Sequence, residues 1–408
     1  MNDLRIGGKA LIKDLNRAIV VNEIRKNGPI SRTDIAKNTG LGLSTITKIT
    51  ESLIEQDMIY ETGEGDSTGG RKPIYLSFNY NFGYVVGIKI EPTDVIMALT
   101  NLNGEIIERR VYEFPKGSRS ELVLGIISQG LQVIGYDTKE RERQILGVGI
   151  GVSGLVDKAR ATLVYSSLLG WGKVAFRPTV RKVINVPVYV DNDVNAYAIA
   201  ELLYGQGKGL DNFLVVTMGI GIGCGIIING EIYRGDFGGA GEIGHVIIQK
   251  DGKQCYCGQR GCLETCADDD FIINRVKELA RSNPRSAFCD KEPTIKDVYK
   301  AAREGDECAL RAYEEAGRNM GVGLVNAINI FNPSTIILAG EAMVAKDFFM
   351  PYIIETAQRN FFYKYKKHIE IKASELGDNG WEIGAAAVAV NELFQAPIYK
   401  NRRTLHSF

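Results

Sequence analysis

The hydrophobic positions of the first eighty residues follow two periods. From Leu11 to Asn27 apolar side chains recur at 11, 12, 15, 18, 19 and 24 and stop at Asn27-Gly28-Pro29, spacing that predicts a helix. Ser31, followed three residues later by Asp34, predicts the start of a second helix that ends at Gly40. After Gly40-Leu41-Gly42 a third helix runs about from Leu43 to Gln56, with Ile46, Ile49 and Leu53 on its inner stripe and Ser44, Thr45, Thr47 and Lys48 on its outer face. The pattern then becomes short and extended. Met58–Thr62 and Ile74–Phe78 read as strands around GEGDSTGGRKP, a glycine-rich loop ending in Arg71 and Lys72. Two short helices on a glycine turn followed by a hairpin predict a winged helix-turn-helix. Ser44, Thr45, Thr47 and Lys48 would face the major groove of an operator DNA, and Arg71 and Lys72 backbone phosphate or the minor groove. A three-helix interaction domain with solvated charges is the alternative.

From Tyr84 the register changes. GYVVGIKI, VIMALTNL, ILGVGIGVSG, VPVYVDNDVNA, FLVVTMGIGIGCGIIING and TIILAG are β-rich runs that alternate with helical stretches such as Asn195–Tyr204 and Asp270–Arg281. Such alternation predicts an α/β body, in two halves that meet near residue 190.

Composition adds three points. A chain of 408 residues that is 45% hydrophobic exceeds what one core usually serves. No run of 18 or more apolar residues is present, and Asp3, Arg5, Lys9, Lys13 and Asp14 stand where a signal peptide needs an apolar run, so the expected location is cytoplasmic. The net charge of zero conceals a basic N-terminal module: residues 1–50 hold nine Lys and Arg against four acids, a balance of +5, which suits an anionic partner.

The chemistry concentrates between Gly244 and Glu264, where one of three histidines stands beside three of seven cysteines. His245 is followed after nine residues by Cys255-x-Cys257 and after four more by Cys262. Three thiolates and an imidazole complete a tetrahedral zinc set, and a closed four-ligand site is structural. A reduced loop with incidental cysteines is the plain alternative. Cys266 lies outside the pattern, and Cys224, Cys289 and Cys308 read as core or surface thiols.

GIGVSGLVD (149–157), DNDVNAYAIAE (191–201), GIGIGCGIIINGEIYRG (219–235), GGAGEIGH (238–245), CYCGQRGCLE (255–264), NPSTIILAG (332–340) and GDNGWEIGAAA (377–387) together resemble, in order, the ROK family of bacterial sugar kinases and sugar-responsive repressors. The resemblance covers essentially the whole chain. It implies an actin-like, hexokinase-type two-lobed α/β body carrying an N-terminal winged helix-turn-helix. The corresponding domains are 1–80 for DNA binding, 81–190 for the first lobe, 191–390 for the second lobe with the zinc loop, and 391–408 as a tail, a C-terminal helix being able to return to the first lobe. The family's zinc motif matches at His245, Cys255, Cys257 and Cys262. Its sugar ligands fall on Asn192, Asp193, Glu242, His245 and Glu264. Carboxylates and amides suit a ring of hydroxyls, with an aromatic such as Trp171 over the apolar ring face. His245, metal-bound through one nitrogen, could donate its other N–H to a sugar hydroxyl.

In the family's kinases Asp193 would be the general base. The phosphate cradle of those kinases, Asp-x-Gly-Gly-Thr, is here Lys89-Ile90-Glu91-Pro92-Thr93. Glu91 brings negative charge toward the phosphates and Pro92 removes a donor. Ile220 replaces the threonine of Gly-Thr-Gly-Ile-Gly, and Ala339-Gly340-Glu341 replaces the adenosine-side glycines. The expectation is therefore a non-enzymatic homodimeric repressor of the xylose-repressor branch, released from a palindromic operator by a monosaccharide. D-xylose is the expected effector, D-glucose the next, and an ATP-dependent sugar kinase the remote alternative.

Overall fold

The computed structural model describes residues 8–64, 73–140, 144–288, 292–359 and 369–396. The wing residues Arg71 and Lys72, and Cys289, lie outside the described residues.

The N-terminal helices form where the apolar period placed them: α1 is Lys9–Asn27, α2 Arg32–Thr39 and α3 Leu43–Glu55, with strands β1 (Ile30–Ser31), β2 (Ile59–Glu64) and β3 (Ile74–Phe78). Ser31 caps α2 by accepting the Asp34 N–H, and Gly40 ends it in the left-handed region. Ile46 and Leu53 of α3 are fully buried. Arg32 ties the parts together, donating through Nε to the buried Thr50 hydroxyl at 3.0 Å and pairing with Glu61 of β2 at 3.1 Å. β3 pairs antiparallel with both β1 and β2, so the hairpin closes on the helices.

The body continues through β4 (Tyr84–Ile90), β5 (Asp94–Asn101), β6 (Ile106–Glu113), α4 (Ser120–Glu140), β7 (Ile145–Val152), β8 (Leu155–Asp157), β9 (Thr162–Tyr165), β10 (Val174–Ala175), α5 (Arg177–Val183) and β11 (Val188–Asn192). There follow α6 (Asp193–Tyr204), β12 (Phe213–Met218), β13 (Ile222–Ile228), β14 (Glu231–Tyr233), α7 (Glu264–Ala267), α8 (Asp269–Ala280), α9 (Ile295–Arg303) and α10 (Glu307–Phe331). The chain ends in β15 (Thr335–Ala339), α11 (Lys346–Ala357), β16 (Glu370–Ala373) and α12 (Gly380–Leu393).

Two compact units result. The first comprises Met1–Val152, Lys158–Asp191 and Ala385–Phe408, the second Ser153–Asp157 and Asn192–Gly384. Each contains a five-stranded sheet of the same design. In the first the order is β11-β7-β4-β5-β6, where β4, β5 and β6 form an antiparallel meander and β7 runs parallel to β4. In the second the order is β16-β15-β12-β13-β14, where β12, β13 and β14 form the meander and β15 runs parallel to β12. Strands such as β12 and β15 are buried throughout, as sheets covered on both faces require. The second unit packs its sheet against α10, whose Ala309, Ala312, Ala316, Met320 and Leu324 recur at helical spacing along the core.

Helix α12 contributes to both units. Near its start Trp381 meets Tyr197 of α6 edge to face, with ring centroids 5.1 Å apart, in the second unit. At its far end, in the first unit, Phe394 is 3% exposed. There the Phe78 ring packs on it at 5.4 Å, the Arg25 guanidinium lies 4.2 Å over its face, and Asn22 donates to its carbonyl at 2.9 Å. Phe394→Ala empties this notch at a cost of about 3 kcal/mol. Hydrogen exchange should show faster exchange of the α1 and β3 amides with α10 unchanged, and equal protection of α1 in the variant would refute the contact's importance.

Candidate functional site

Asn192 and Asp193 stand at the junction of β11 and α6. The Asn192 side-chain oxygen caps α6, accepting from the Val194 and Asn195 N–H groups at 2.9 and 3.3 Å, while its amide donates to the Gly154 carbonyl. Asp193 is 8% exposed and accepts from the Val194 N–H. Glu264, at the start of α7, is 7% exposed and accepts the Ile222 N–H at 3.0 Å. These three groups are therefore rigidly held, each with part of its hydrogen-bonding capacity spent on the backbone.

Glu242 precedes the short helical turn Ile243–His245. It is open to solvent on one side and crowded by protein on the others. Burial pushes its carboxyl above the usual range, the Glu264 and Asp193 carboxylates add to the push, and His245 opposes it. These interactions bring Asp193, Glu242, His245 and Glu264 into one electrostatic neighbourhood, with all five sugar-ligand candidates in the second unit. Gly241 makes the approach possible. Its φ of +94° suits glycine, and a Cβ there would lie 1.8 Å from the Cys224 carbonyl oxygen.

The metal-ligand candidates also converge. The side-chain ligand atoms of His245, Cys255, Cys257 and Cys262 all lie within 4.8 Å of one another. Cys255 Sγ is 3.6 Å from His245 Nδ1, and Cys257 Sγ is 3.6 Å from Cys262 Sγ. A tetrahedral ion with the usual zinc bond lengths has ligand-to-ligand edges of about 3.5–3.8 Å, so the cluster fits such an ion with little adjustment. Burial pushes the Cys262 thiol up to about 12, and only a cation among the sulfurs would favour three thiolates so close together. Gly261 closes the loop, with φ +72° and a Cβ position 1.6 Å from the Gln249 carbonyl oxygen. Cys266, Cys224 and Cys308 are buried thiols outside the cluster.

One expectation needs correction. Trp171 is 6% exposed and its indole N–H donates to the Ser118 carbonyl at 2.8 Å, so in the first unit it is a satisfied core residue, not a free aromatic plate. Among the sugar-ligand candidates His245 has a further neighbour, since Tyr256 Oη lies 3.1 Å from its Nε2. Residue order holds one clue to Tyr256: its place between two ligating cysteines fixes its backbone beside the cluster.

On α3, Ser44 and Lys48 are exposed and Thr45 and Thr47 half-buried. The Thr47 hydroxyl bonds back to the Leu43 carbonyl, which leaves its methyl as the outward group. Elsewhere, the loop joining β12 to β13 presents Ile220 at 63% exposure. The Asp269 N–H donates to the Gly219 carbonyl, and a Cβ at Gly219 would meet the Glu341 carboxylate at 2.4 Å. The Glu341 carboxylate thus flanks the loop in which a kinase would hold phosphate. Lys89 is 6% exposed within β4.

The ROK family profile matches residues 85–392. The chain belongs to the ROK family. A winged helix-turn-helix DNA-binding profile matches residues 14–60 ahead of it. A putative xylose repressor of a Caldicellulosiruptor species is 31% identical over 399 residues, covering 97% of this chain and 100% of that protein. The crystal structure of a ROK family transcriptional regulator, a homologue of the Escherichia coli MLC protein, superposes with a TM-score of 0.83 at 28% identity, covering 95% of this chain and 98% of the other. A ROK family glucokinase from Streptomyces griseus, in complex with glucose and AMPPNP, has a TM-score of 0.67 at 28% identity and covers 76% of this chain and 100% of its own. This ROK chain thus joins a kinase-like α/β body to a DNA-binding head, and among its described residues no helix is long and apolar enough to cross a membrane.

Burial, with Glu264 and Asp270 adding to it, pushes the Asp268 carboxyl up to about 7, although the Phe271 N–H it caps opposes the shift. A carboxyl raised in the folded state favours folding at low pH, and that contribution is lost as pH rises from about 4 to about 7. Asp268→Asn keeps the cap oxygen and removes the charge. Its thermal midpoint should exceed the parent's at pH 8 and match it at pH 4, and an equal shift at both values would contradict the assignment.

Proposed function

We propose that this ROK protein is a sugar-responsive transcriptional repressor, homodimeric on a palindromic operator and released from it by a monosaccharide, with D-xylose the favoured effector and D-glucose the next. The observation that carries the reading is a winged helix-turn-helix on the same chain as a unit where Asp193, Glu242, His245 and Glu264 share one neighbourhood beside a metal-ligand cluster. Carboxylates and an imidazole held in fixed positions, with Asn192 beside them in the chain, match the donor-rich ring of a sugar. The named xylose repressor supports the choice of D-xylose.

His245, Cys255, Cys257 and Cys262 would hold a structural zinc. Bound there, zinc supplies no reactive position and fixes the backbone between Glu242 and Glu264. DNA contact would come from Ser44, Thr45, Thr47 and Lys48, with Arg71 and Lys72 from the wing. Release requires only that sugar bind the DNA-incompetent arrangement more tightly, and a hundredfold preference corresponds to about 2.7 kcal/mol. Helix α12, which begins beside α6 and ends against α1, is the candidate coupling element.

Asp193 keeps a kinase reading in view. Against it stand Lys89, Glu91 and Pro92 in β4 and its turn, Ile220 at the loop tip, and the Glu341 carboxylate beside Gly219, which would repel a polyphosphate. A coupled ATP-consumption assay with D-xylose or D-glucose should register no turnover.

The zinc-loaded protein should rise in thermal midpoint with one sugar of a millimolar panel, because a ligand at a hundredfold excess over Kd stabilises by about 2.7 kcal/mol. That same sugar should free a labelled operator fragment in a fluorescence anisotropy assay. No shift with any sugar would overturn the sensor reading. Cys262→Ser, or chelation of the parent, should remove the metal by mass spectrometry and abolish the sugar-induced shift, and a preserved shift in metal-free protein would separate the two sites.

A further inference from the structure

We propose that the Tyr256 hydroxyl is an internal competitor of the sugar for His245 and so sets the affinity of the effector site. This inference rests on the sugar-site reading above. Cys255 Sγ approaches His245 at Nδ1, at 3.6 Å, so Nδ1 is the nitrogen that faces the metal cluster. A neutral imidazole that gives Nδ1 to a cation carries its only proton on Nε2. That N–H points at Tyr256 Oη, 3.1 Å away, and the two rings meet edge to face with centroids 5.1 Å apart and planes at 86°. The phenol oxygen is therefore the acceptor, and it holds the imidazole at its ring plane as outer-shell partners of metal-bound histidines do.

One N–H serves one strong acceptor. A sugar hydroxyl can accept from His245 only by displacing Tyr256, and the surroundings allow that exchange. Tyr256 is 69% exposed, so its hydroxyl passes into water without being stranded. The backbone around it stays in place: the Cys255 N–H donates to the Gln259 carbonyl, the Gly258 N–H donates to the Cys255 carbonyl, and the flanking Cys255 and Cys257 belong to the metal set. Only the side chain has to swing. In the sugar-free protein Tyr256 keeps the imidazole oriented, and in the complex the sugar takes over that role. A ligand lacking a hydroxyl at the matching position would have nothing to exchange for the lost bond, so the competition also filters ligands.

The test is calorimetric titration of D-xylose and D-glucose into the full zinc-loaded chain and into Tyr256→Phe, with metal content measured on both. Tyr256→Phe keeps the ring and removes only the competing oxygen. The expected result is a Kd about three- to tenfold lower than the parent's, the range of one net hydrogen bond, at equal zinc content. A parent that binds while the variant binds equally or more weakly overturns the competition and leaves the sugar site standing. Lost zinc in the variant overturns it too, making the hydroxyl a metal-site support. Absence of binding to both proteins fails the sugar reading itself and the competition with it.

Discussion

Four ligand atoms drawn from residues 245, 255, 257 and 262 lie within 4.8 Å of one another, and this convergence fixes the loop that carries the carboxylate cluster. Sulfur atoms so close repel as thiolates and gain little as thiols, so a cation among them would lower the cost of closing the loop. Once it closes, both ends are positioned: Glu242 enters the helical turn that ends in His245, and Glu264 begins α7 two residues after Cys262. Glu264 then reaches across to the Ile222 N–H of β13, which joins the metal loop to the sheet. The carboxylates gathered there stay near one another despite mutual repulsion because the backbone leaves them no alternative. Any affinity of such a site for a polyol would come from this preorganisation more than from any single contact.

Much of this was legible in residue order because it is local. Apolar spacing placed α1 and α3, Ser31 with Asp34 started α2, and Gly40 ended it, each element depending on neighbours within a turn or two. The cysteine spacing was likewise informative, since thiolate geometry tolerates few loop lengths. Long-range partners were not legible. Nothing near Trp171 announces that Ser118 takes its indole proton, and nothing near Glu341 places it beside Gly219. Asn192 illustrates a third category. Its role as a helix cap is as local as that of Ser31, yet it stood hidden behind a ligand role that the same side chain can also serve.

The two sheets repeat one strand order, three antiparallel strands followed by two added on the opposite edge. Their chemistry has diverged where their topology has not. In the second sheet the turn between the first two strands, Gly219 to Gly221, is flanked by Asp269 and Glu341; in the first sheet the corresponding turn holds Glu91 and Pro92. Both turns carry carboxylate side chains in or against them. Carboxylates at both turns would disfavour a polyphosphate, while the carboxylate and imidazole cluster lies beside the metal-ligand candidates. Glu264 links the two regions, since its carboxylate accepts the Ile222 N–H at the end of the Gly219–Gly221 turn.

Phe394 reaches the notch formed by Asn22, Arg25 and Phe78 from the opposite end of the polypeptide. More than three hundred residues separate the notch from the ring that fills it. At ordinary rates of synthesis that interval lasts about 20–60 s, during which α1 and β3 have emerged from the ribosome without their last aromatic neighbour. A nascent chain that stops before residue 394 lacks the ring that fills this notch. Residue 394 has to emerge before that face of α1 and β3 can close.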